Sequence, residues 1–524
     1  MQAVIEEHTS APSLATLPDG TTFTYSTDAR GNAIIEACTT QNAHLTIPAE
    51  LDGHAVVALA EQSLAHVNTA ETITCPQSLR SIGPKAFSGC IKLHAVELNA
   101  GLISIEDEAF ELCINLPEIE LPATLENIGS CLAGQQAARS SHIMRIRIHH
   151  DNPYLFAREE VIYQSIDGGI QLVDGTRFNG DVLNVVPGTR GLGQRALYLN
   201  RFVRRIVLPE GVTFIGEEAL RGCSNLAACD IPDTLEEIGR AAFSCTSLES
   251  IYLPAACVRV HERALDTGVV LDGVVQHFES TLRSISVHPH NPALCMCGDV
   301  LCKRIEGTNE LRCILCPRHV ENVALPKNVT SIAEGTFAGT TCIDCFSVCD
   351  GTIGDAASSM IAHSNCKRID IELSRPLQGK TTISLELPAG ALGAKVLENS
   401  YVNGRIDAAL LLANYDAALA GEADELAQAR HMTARLADPV HLAEEARSLF
   451  HETVASALTS IAAHFGARSY WQGLDQLTDA GLIDNANIAN VISTLTALGD
   501  AASVSYLLDL KRTRFGEALW DYAL

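Results

Sequence analysis

The sequence predicts an α/β solenoid of 23-residue repeats followed by an all-α domain. Residues 76–98 are repeated 23 positions later at residues 99–121, and eight of ten compared positions keep their chemical character. A unit of this length cannot bury its apolar face alone, so stacked neighbours must supply the core. Beyond about residue 400 the apolar residues recur with a helical period instead. The chain is therefore divided into a repeat domain and a helical domain.

The first part of the chain is predicted to close one end of the solenoid. Residues 1–20 contain Pro, Ser and Thr and are expected to form a flexible tail. Residues 23–59 alternate apolar and polar residues with glycines between the segments, which is typical of short strands. We expect these strands to form an N-terminal cap, so that the repeat domain spans residues 21–390.

Each repeat is predicted to contain one strand with the pattern apolar-x-x-apolar-x-apolar, in most cases followed by proline. Proline fixes φ and lacks an N–H donor, which ends the strand and begins a turn. An Ile-Gly step then permits a tight bend, and an Ala-Phe pair fills the opposite side of the repeat. The predicted strands end at Ile47, Cys75, Leu98, Leu121, Ile148, Leu208, Ile231, Leu253, Val287, Leu325 and Leu387.

The pattern P-x-x-L-x-x-I-G-x-x-A-F-x-x-C-x-x-L-x-x-I-x-L is followed from Pro76 to Leu121 and from Pro209 to Leu253. In this pattern the chain resembles the BspA-type leucine-rich repeats of bacteria. Residues 146–163 and 285–302 are similar to the Asn-Pro hairpin inserts that interrupt such arrays. The resemblance implies a leucine-rich repeat fold with parallel strands on the concave face and a binding or adhesive role. Many members of this family are secreted.

Residues 391–524 are predicted to form amphipathic helices. A second period of 33 residues relates Gly466, Trp471, Leu474 and Leu477 to Gly499, Val504, Leu507 and Leu510. This part of the chain is similar to two degenerate ankyrin-like helix pairs, although the T-P-L-H start of an ankyrin unit is missing. Asp484 and Asp500 are expected to be helix N-caps.

Composition excludes several classes of protein. The 37 basic and 63 acidic residues give a formal charge of −26, which disfavours binding to nucleic acid or to anionic membranes. The first twenty residues do not read as a signal peptide, and no run of 18 apolar residues is present. Eighteen cysteines then suggest a reducing compartment. We expect a cytoplasmic protein, with a secreted or surface protein as the alternative.

Two groups of residues could hold a metal. The segment Cys295–Cys349 contains eight cysteines, among them two CxxC pairs, and zinc sites use such pairs. Histidines occur at His149-His150-Asp151 and at His288-Pro289-His290, in the same place before each insert. Burial of the cysteines and a shared turn for the histidines explain both groups more simply, since the spacing is imperfect. No metal, cofactor or enzymatic activity is predicted, and zinc binding by the cysteine segment stays open.

Stacking of the repeats predicts a candidate binding surface. The two polar positions that flank the central residue of each strand point outward, and successive strands lie about 4.8 Å apart. Such a patterned face is where solenoids bind partners, although its charges could also pair with each other and keep the surface soluble. The predicted partner-binding residues are Glu97, Glu118, Glu120, Arg145, Arg147, Arg205, Asp230 and Tyr252.

These observations predict a non-enzymatic scaffold that binds a protein partner on the concave face. Its partner and oligomeric state are not identified by the sequence. A surface adhesin of the BspA kind is the alternative. An enzyme or toxin module in the helical domain is a third hypothesis. It has the least support, because no phosphate loop, G-x-S-x-G elbow, H-E-x-x-H or kinase signature is present.

Overall fold

The structure is a computed structural model of the chain. It describes residues 10–134, 145–261, 263–265, 282–317, 319–326, 328–333, 336–337, 343–349, 367–377, 380–387, 396, 400–402, 405–421, 424–440 and 442–516. A β-solenoid of about 12 turns spans residues 33–370, and a helical region follows it, as predicted. The chain divides into two compact units, residues 1–296 and 297–524. The last repeats therefore belong to the same compact unit as the helices. The division into a repeat domain and a helical domain at residue 390 stays a prediction.

Short strands open the first unit. β1 and β2 pair antiparallel, β2 and β3 pair antiparallel, and β3 then pairs parallel with β6. The prediction of a flexible tail is wrong for residues 13–16, because they form the first of these strands; residues 1–9 lie outside the described residues. The strands are β1 Ser13–Thr16, β2 Thr22–Thr27, β3 Ala33–Thr39, β4 His44–Thr46, β5 Glu50–Leu51 and β6 His54–Leu59.

The first block of repeats lies between residues 72 and 148 and has parallel strands on two sides. One side contains the predicted strands in two separate sheets, with Ile73 opposite Val96 in one and Ile119 opposite Ile146 in the other. The other contains two-residue strands that stack Ile82, Ile105 and Ile128. The strands are β7 Thr72–Thr74, β8 Ser81–Ile82, β9 Ala95–Glu97, β10 Ser104–Ile105, β11 Glu118–Leu121, β12 Asn127–Ile128 and β13 Arg145–Ile148.

Two hairpin inserts have the same entry turn, as the Asn-Pro pattern predicted. The side chain of Asn152 donates to the carbonyls of residues 122 and 125 and accepts from the amides of residues 154 and 155. Asn291 makes the same four hydrogen bonds in its own turn. The strands are β14 Leu155–Arg158, β15 Val161–Ile166 and β16 Gly169–Asp174 in the first insert, and β26 Leu294–Cys297, β27 Val300–Arg304 and β28 Leu311–Leu315 in the second.

The second block of repeats lies between residues 182 and 287, and its strands that follow the predicted pattern form two separate sheets. Among these strands, Val182–Asn184 is the one that the sequence did not predict. This strand pairs parallel with the next one, which places Val182 opposite Arg205. The strands are β17 Val182–Asn184, β18 Thr189–Leu192, β19 Arg205–Val207, β20 Phe214–Ile215, β21 Ala228–Asp230, β22 Glu237–Ile238, β23 Ser250–Leu253, β24 Arg259–Val260 and β25 Ser284–Val287.

Buried cysteines connect neighbouring repeats. The thiols of Cys90, Cys113 and Cys223 donate to main-chain carbonyls of the preceding repeat, at 3.1–3.2 Å. All three residues are buried, and burial raises the pKa of the Cys90 thiol to about 11. The interpretation of these repeat cysteines as small buried residues agrees with their positions, and each also satisfies a carbonyl oxygen.

A left-handed residue precedes each Ala-Phe pair or its equivalent. The φ angles at these positions lie between 51° and 56°, although none of the residues is glycine. L-residues pay a free-energy cost in this conformation, so the stacked turns must hold them there. These turn positions are Lys85, Glu108, Cys131, Arg195, Glu218, Ala241 and Arg263.

The strands of the second unit end the solenoid with a reversal of direction. β29, β31 and β32 pair parallel, but β33 pairs antiparallel with β32. The prediction that the strand ending at Leu387 continues the parallel array is therefore wrong, because only two residues separate it from β32 and a parallel crossover needs a longer connection. The strands are β29 Asn322–Leu325, β30 Val329–Ile332, β31 Cys345–Cys349, β32 Arg368–Leu377, β33 Lys380–Glu386, β34 Tyr401–Val402 and β35 Arg405–Ile406.

Helices make up the described part of the chain after residue 406. Asp500 accepts from the Ser503 amide and caps the last helix, as predicted. Asp484 instead accepts from amides in the turn before its helix, whose N-cap is Asn487. No described helix is long and apolar enough to span a membrane. The helices are α1 Ala408–Leu419, α2 Glu425–Ala437, α3 Glu444–Ser456, α4 Leu458–Ala467, α5 Trp471–Asp479, α6 Ile488–Ala497 and α7 Ala501–Phe515.

The 33-residue period relates the pair α4–α5 to the pair α6–α7. Leu474, Leu477, Leu507 and Leu510, which occupy equivalent positions, are all buried. The period thus marks the core side of two helix pairs, and the ankyrin-like assignment stays a prediction.

Candidate partner-binding face

The outward positions of the predicted strands form one face of each repeat block, here named the strand face. It consists of the side chains that point away from the core on β4, β7, β9, β11, β13, β17, β19, β21, β23 and β25. Alternation along each strand buries Ile119 and Ile146 and exposes the residues on either side of them. Of the eight predicted residues, Asp230 is half-buried and seven are exposed, namely Glu97, Glu118, Glu120, Arg145, Arg147, Arg205 and Tyr252.

Charges of opposite sign face each other where β11 pairs with β13. Glu118 lies opposite Arg145, and Glu120 lies opposite Arg147. The ion pair that forms is diagonal, since Arg147 Nη2 is 3.3 Å from Glu118 Oε2. Both side chains of this pair are about half exposed, so the pair contributes less than about 1 kcal/mol.

The diagonal pair uses two of the four charged side chains on β11 and β13, and it leaves the acid Glu120 and the base Arg145 for other contacts. Among the residues that the structure describes, neither the Glu120 carboxylate nor the Arg145 guanidinium has an ion pair or a side-chain hydrogen bond. Glu97 accepts a hydrogen bond from Thr74 at 3.2 Å. The predicted alternative, in which the charges only neutralise each other, thus accounts for some of these residues but not for Glu120 and Arg145.

A second charged group lies on β19 and β21. Arg205 Nη2 is 2.7 Å from Asp230 Oδ2, and Arg205 Nε donates to the same oxygen. Tyr252 lies further along the chain on β23, opposite Ser286 of β25. Arg205 does not lie on a strand paired with β13, which carries Arg145 and Arg147, because the strand that precedes β19 in its sheet is β17.

The unpredicted strand β17 adds one exposed apolar side chain to the strand face. Val182 is 45% exposed and Asn184 is also exposed. Its sequence signal is weak because proline follows one residue later than in the other repeats, at Pro187 after Val185 and Val186. Val182 lies opposite Arg205 of β19, so this apolar side chain borders the second charged group.

The repeat sequence decides the family. The BspA type leucine rich repeat region matches residues 55–161, 188–286 and 315–377, in six copies. The matched residues make up more than half of the chain. The chain belongs to the BspA-type leucine-rich repeat family. The resemblance found in the sequence is confirmed.

Three solved structures are similar to this BspA-type chain in fold. The pneumococcal vaccine antigen PcpA is 15% identical, with a TM-score of 0.42, and the match covers 70% of this chain and 100% of PcpA. A leucine rich cell surface protein from Faecalibacterium prausnitzii is 16% identical, with a TM-score of 0.33, and the match covers 65% of this chain and 95% of that protein. A leucine-rich repeat protein from Bacteroides ovatus is 13% identical, with a TM-score of 0.33, and the match covers 72% of this chain and 89% of that protein. No curated protein matches the sequence.

The histidine groups of this BspA-type chain belong to the insert turns. His149 Nδ1 accepts from the Asp151 amide at 3.2 Å, and His288 Nδ1 accepts from the His290 amide at 3.1 Å. The shared turn therefore explains why histidine occurs at both positions. The ligand atoms of His149, His150 and Asp151 also lie within 4.8 Å of one another, which is compatible with a metal ion.

The cysteine segment of the BspA-type chain gives no group of three ligands within the described residues. Cys313 lies in β28, and Cys316 follows the end of that strand; both are buried. The alternation of side chains along β28 does not extend to Cys316, because the strand ends at Leu315. Cys342, a member of the second CxxC pair, lies outside the described residues.

Proposed function

We propose that this BspA-type protein is a non-enzymatic scaffold whose strand face binds a protein partner. The observation that carries the proposal is the exposed pair Glu120 and Arg145, which stay without ionic partners in the described residues although opposite charges lie beside them. Charged groups held on regular strands and left available can pair with a partner without rearrangement. Val182 adds apolar surface to the same face.

The mixture of charges favours a protein over a phosphate polymer. The outward side chains of β11 are both acidic and those of the paired strand β13 are both basic, so a complementary partner must also carry both signs. Nucleic acids and anionic membranes present one sign only, and the net charge of −26 repels them.

Charge reversal at Arg145 tests the proposal. We expect Arg145→Glu to reduce the capture of partner proteins from a native lysate by about tenfold or more, because it removes a base and adds a like charge beside Glu118. Lys92→Glu is the matched control, since Lys92 is exposed in a turn outside the strand face. Capture that is equal for Arg145→Glu, Lys92→Glu and the wild-type chain would overturn the assignment of this face.

A cytoplasmic location is part of the proposal, and it rests on the cysteine content. A surface adhesin is the second candidate function, and family membership supports it. Fractionation of native cells distinguishes the two, because an adhesin must be recovered at the surface or in the medium.

The helical region is proposed to hold a second partner or to mediate self-association. Its paired helices present exposed surfaces, such as Leu498 at the end of α6. Light scattering of the full chain tests self-association. A measured mass of one chain at all concentrations would rule out self-association and leave binding of a second partner as the proposed role of the helical region.

A further inference from the structure

Two cysteines face each other across the second hairpin insert. Cys302 lies in β27 and Cys313 in β28, and the two residues are direct partners in the antiparallel register. Their Sγ atoms are 3.5 Å apart, and both residues are 0% exposed. Cys302 Sγ also lies 3.7 Å from the carbonyl of Val300.

The two residues are paired in an antiparallel register that shifts by a bulge or irregularity between Leu301 and Cys302. Opposite residues in antiparallel strands have Cα atoms about 4.5 or 5.5 Å apart, and disulfides span Cα distances of about 4.4–6.8 Å. An S–S bond of about 2.05 Å requires the sulfurs to approach by about 1.5 Å. Rotation of the two side chains can supply this approach while the strands keep their register.

The repeat cysteines have a different environment. Cys90, Cys113 and Cys223 each direct their thiol at a main-chain carbonyl of the preceding repeat. Packing accounts for those cysteines, but it does not require two thiols to be paired across a hairpin. The first insert, residues 155–174, forms its hairpin without any cysteine.

We propose that Cys302 and Cys313 are a redox modification site that forms an intramolecular disulfide with a small-molecule disulfide as oxidant. One cysteine thiolate, having released its proton to water, attacks a sulfur of glutathione disulfide and releases one glutathione. The second cysteine thiolate attacks the mixed disulfide, forms the Cys302–Cys313 bond and releases the second glutathione. The two protein sulfurs are oxidised, the glutathione disulfide is reduced, and the two protons end on the released thiols.

The bond would fix the hairpin. It would close the loop between residues 302 and 313 and link β27 covalently to β28. Since both sulfurs are buried, the oxidant reaches them only while the hairpin is open, either during folding or in a local opening. In a reducing compartment the pair would stay as two thiols, and in an oxidising one it would be linked.

The test uses the full chain purified under reducing conditions and incubated with glutathione disulfide. Remaining thiols are alkylated, and unreduced digests are analysed by mass spectrometry. A parallel sample contains enough urea for the amides of β27 and β28 to exchange with deuterium, so that access of the oxidant is ensured. Cys302→Ser and Cys313→Ser remove the proposed bond, and Cys316→Ser is the matched control.

We expect a peptide linked through Cys302 and Cys313 in the wild-type chain and in Cys316→Ser, and in neither of the other variants. After removal of urea, hairpin amides in the linked chain should exchange about tenfold or more slowly than in the reduced chain. The proposal is overturned if no linked peptide forms in the sample whose hairpin amides exchange, or if either sulfur is linked instead to another cysteine.

Discussion

The carboxylate of Glu108 lies 3.8 Å from the guanidinium of Arg195, although the first hairpin insert separates the two residues in the chain. Lys85 approaches the same carboxylate from the preceding repeat, with Nζ 3.0 Å from Oε2. Arg195 is in turn 2.8 Å from Glu218 of the next repeat. All four residues occupy the left-handed turn position. The charged residues at these turns therefore alternate in sign along the stack, and the turn of Cys131 comes between those of Glu108 and Arg195 in the chain.

Glu108→Gln should lower the free energy of unfolding of the first unit. The Glu108 side chain is 5% exposed, and the change removes the charge that Lys85 and Arg195 both face. We expect a loss of about 2 kcal/mol, less than for a fully buried pair because solvent reaches about a third of each cation. Hydrogen exchange of peptides from residues 104–121 in the full chain measures this loss of unfolding free energy.

The control for this variant is Glu217→Gln. Glu217 pairs with Arg240 at an exposed site, so its loss should cost below about 1 kcal/mol. Equal losses in the two variants would contradict a special role for the buried turn carboxylate.

Glu218 should make the stability of the first unit depend on pH. Burial alone would raise the pKa of this carboxyl, but hydrogen bonds from Arg195 and Arg221 outweigh burial and hold its pKa below the usual value of 4.5. Because the folded pKa is depressed, the stabilisation is present above pH 4.5 and is lost as the pH falls through the folded pKa.

We therefore expect Glu218→Gln to melt below the wild-type chain at neutral pH, and the difference to shrink below about pH 4. Thermal unfolding of both chains between neutral and acidic pH measures this dependence. A difference that stays constant over the whole range would show that the Glu218 charge does not supply the stabilisation.

Ala241→Gly should stabilise the fold slightly. Ala241 has φ 52°, where a Cβ atom costs about 1–2 kcal/mol. Glycine also gives the unfolded chain more freedom, so the expected net gain is about 0.5 kcal/mol. The neighbouring Ala242 is fully buried and has no positive φ, and Ala242→Gly should lose about 1 kcal/mol. The denaturation midpoints of both variants are compared with that of the wild-type chain. A lower midpoint for Ala241→Gly as well as for Ala242→Gly would argue against strain at the turn.

Gly466→Ala should weaken the packing of α4 against α7. A Cβ atom there would lie 1.6 Å from Ser503 Oγ and 2.6 Å from Asp500 Oδ2, so the cap of α7 must shift. We expect a loss of about 2 kcal/mol in the second unit, measured by chemical denaturation followed by helical circular dichroism.

Two further variants check the cause of this loss. Gly421→Ala has an open site, with its nearest atom at 3.6 Å, and should be close to neutral. Ser503→Ala in the Gly466→Ala background removes the nearest clash and should recover part of the loss. If the double variant recovers no stability, the clash with Ser503 Oγ is not the cause of the loss.

The strand face was predictable where the repeat is regular. Alternation on strands such as β11 and β13 fixes which side chains point outward, and that property depends only on position along the strand. The prediction failed for β17, because a one-residue shift of Pro187 hid the repeat pattern. It failed again for β33, because local sequence does not state whether a strand pairs parallel or antiparallel.

The sequence by itself determined the 23-residue repeat, the inward residues of most strands, the insert turns at Asn152 and Asn291, and the change to helices. Each of these depends on local patterning of apolar, small and turn-forming residues. Only the tertiary structure decided that Glu108 meets Arg195, that Arg147 pairs diagonally with Glu118, and that Cys302 faces Cys313. These relationships depend on the register between distant segments and on which rotamer each side chain adopts, and neither is encoded in the repeat pattern.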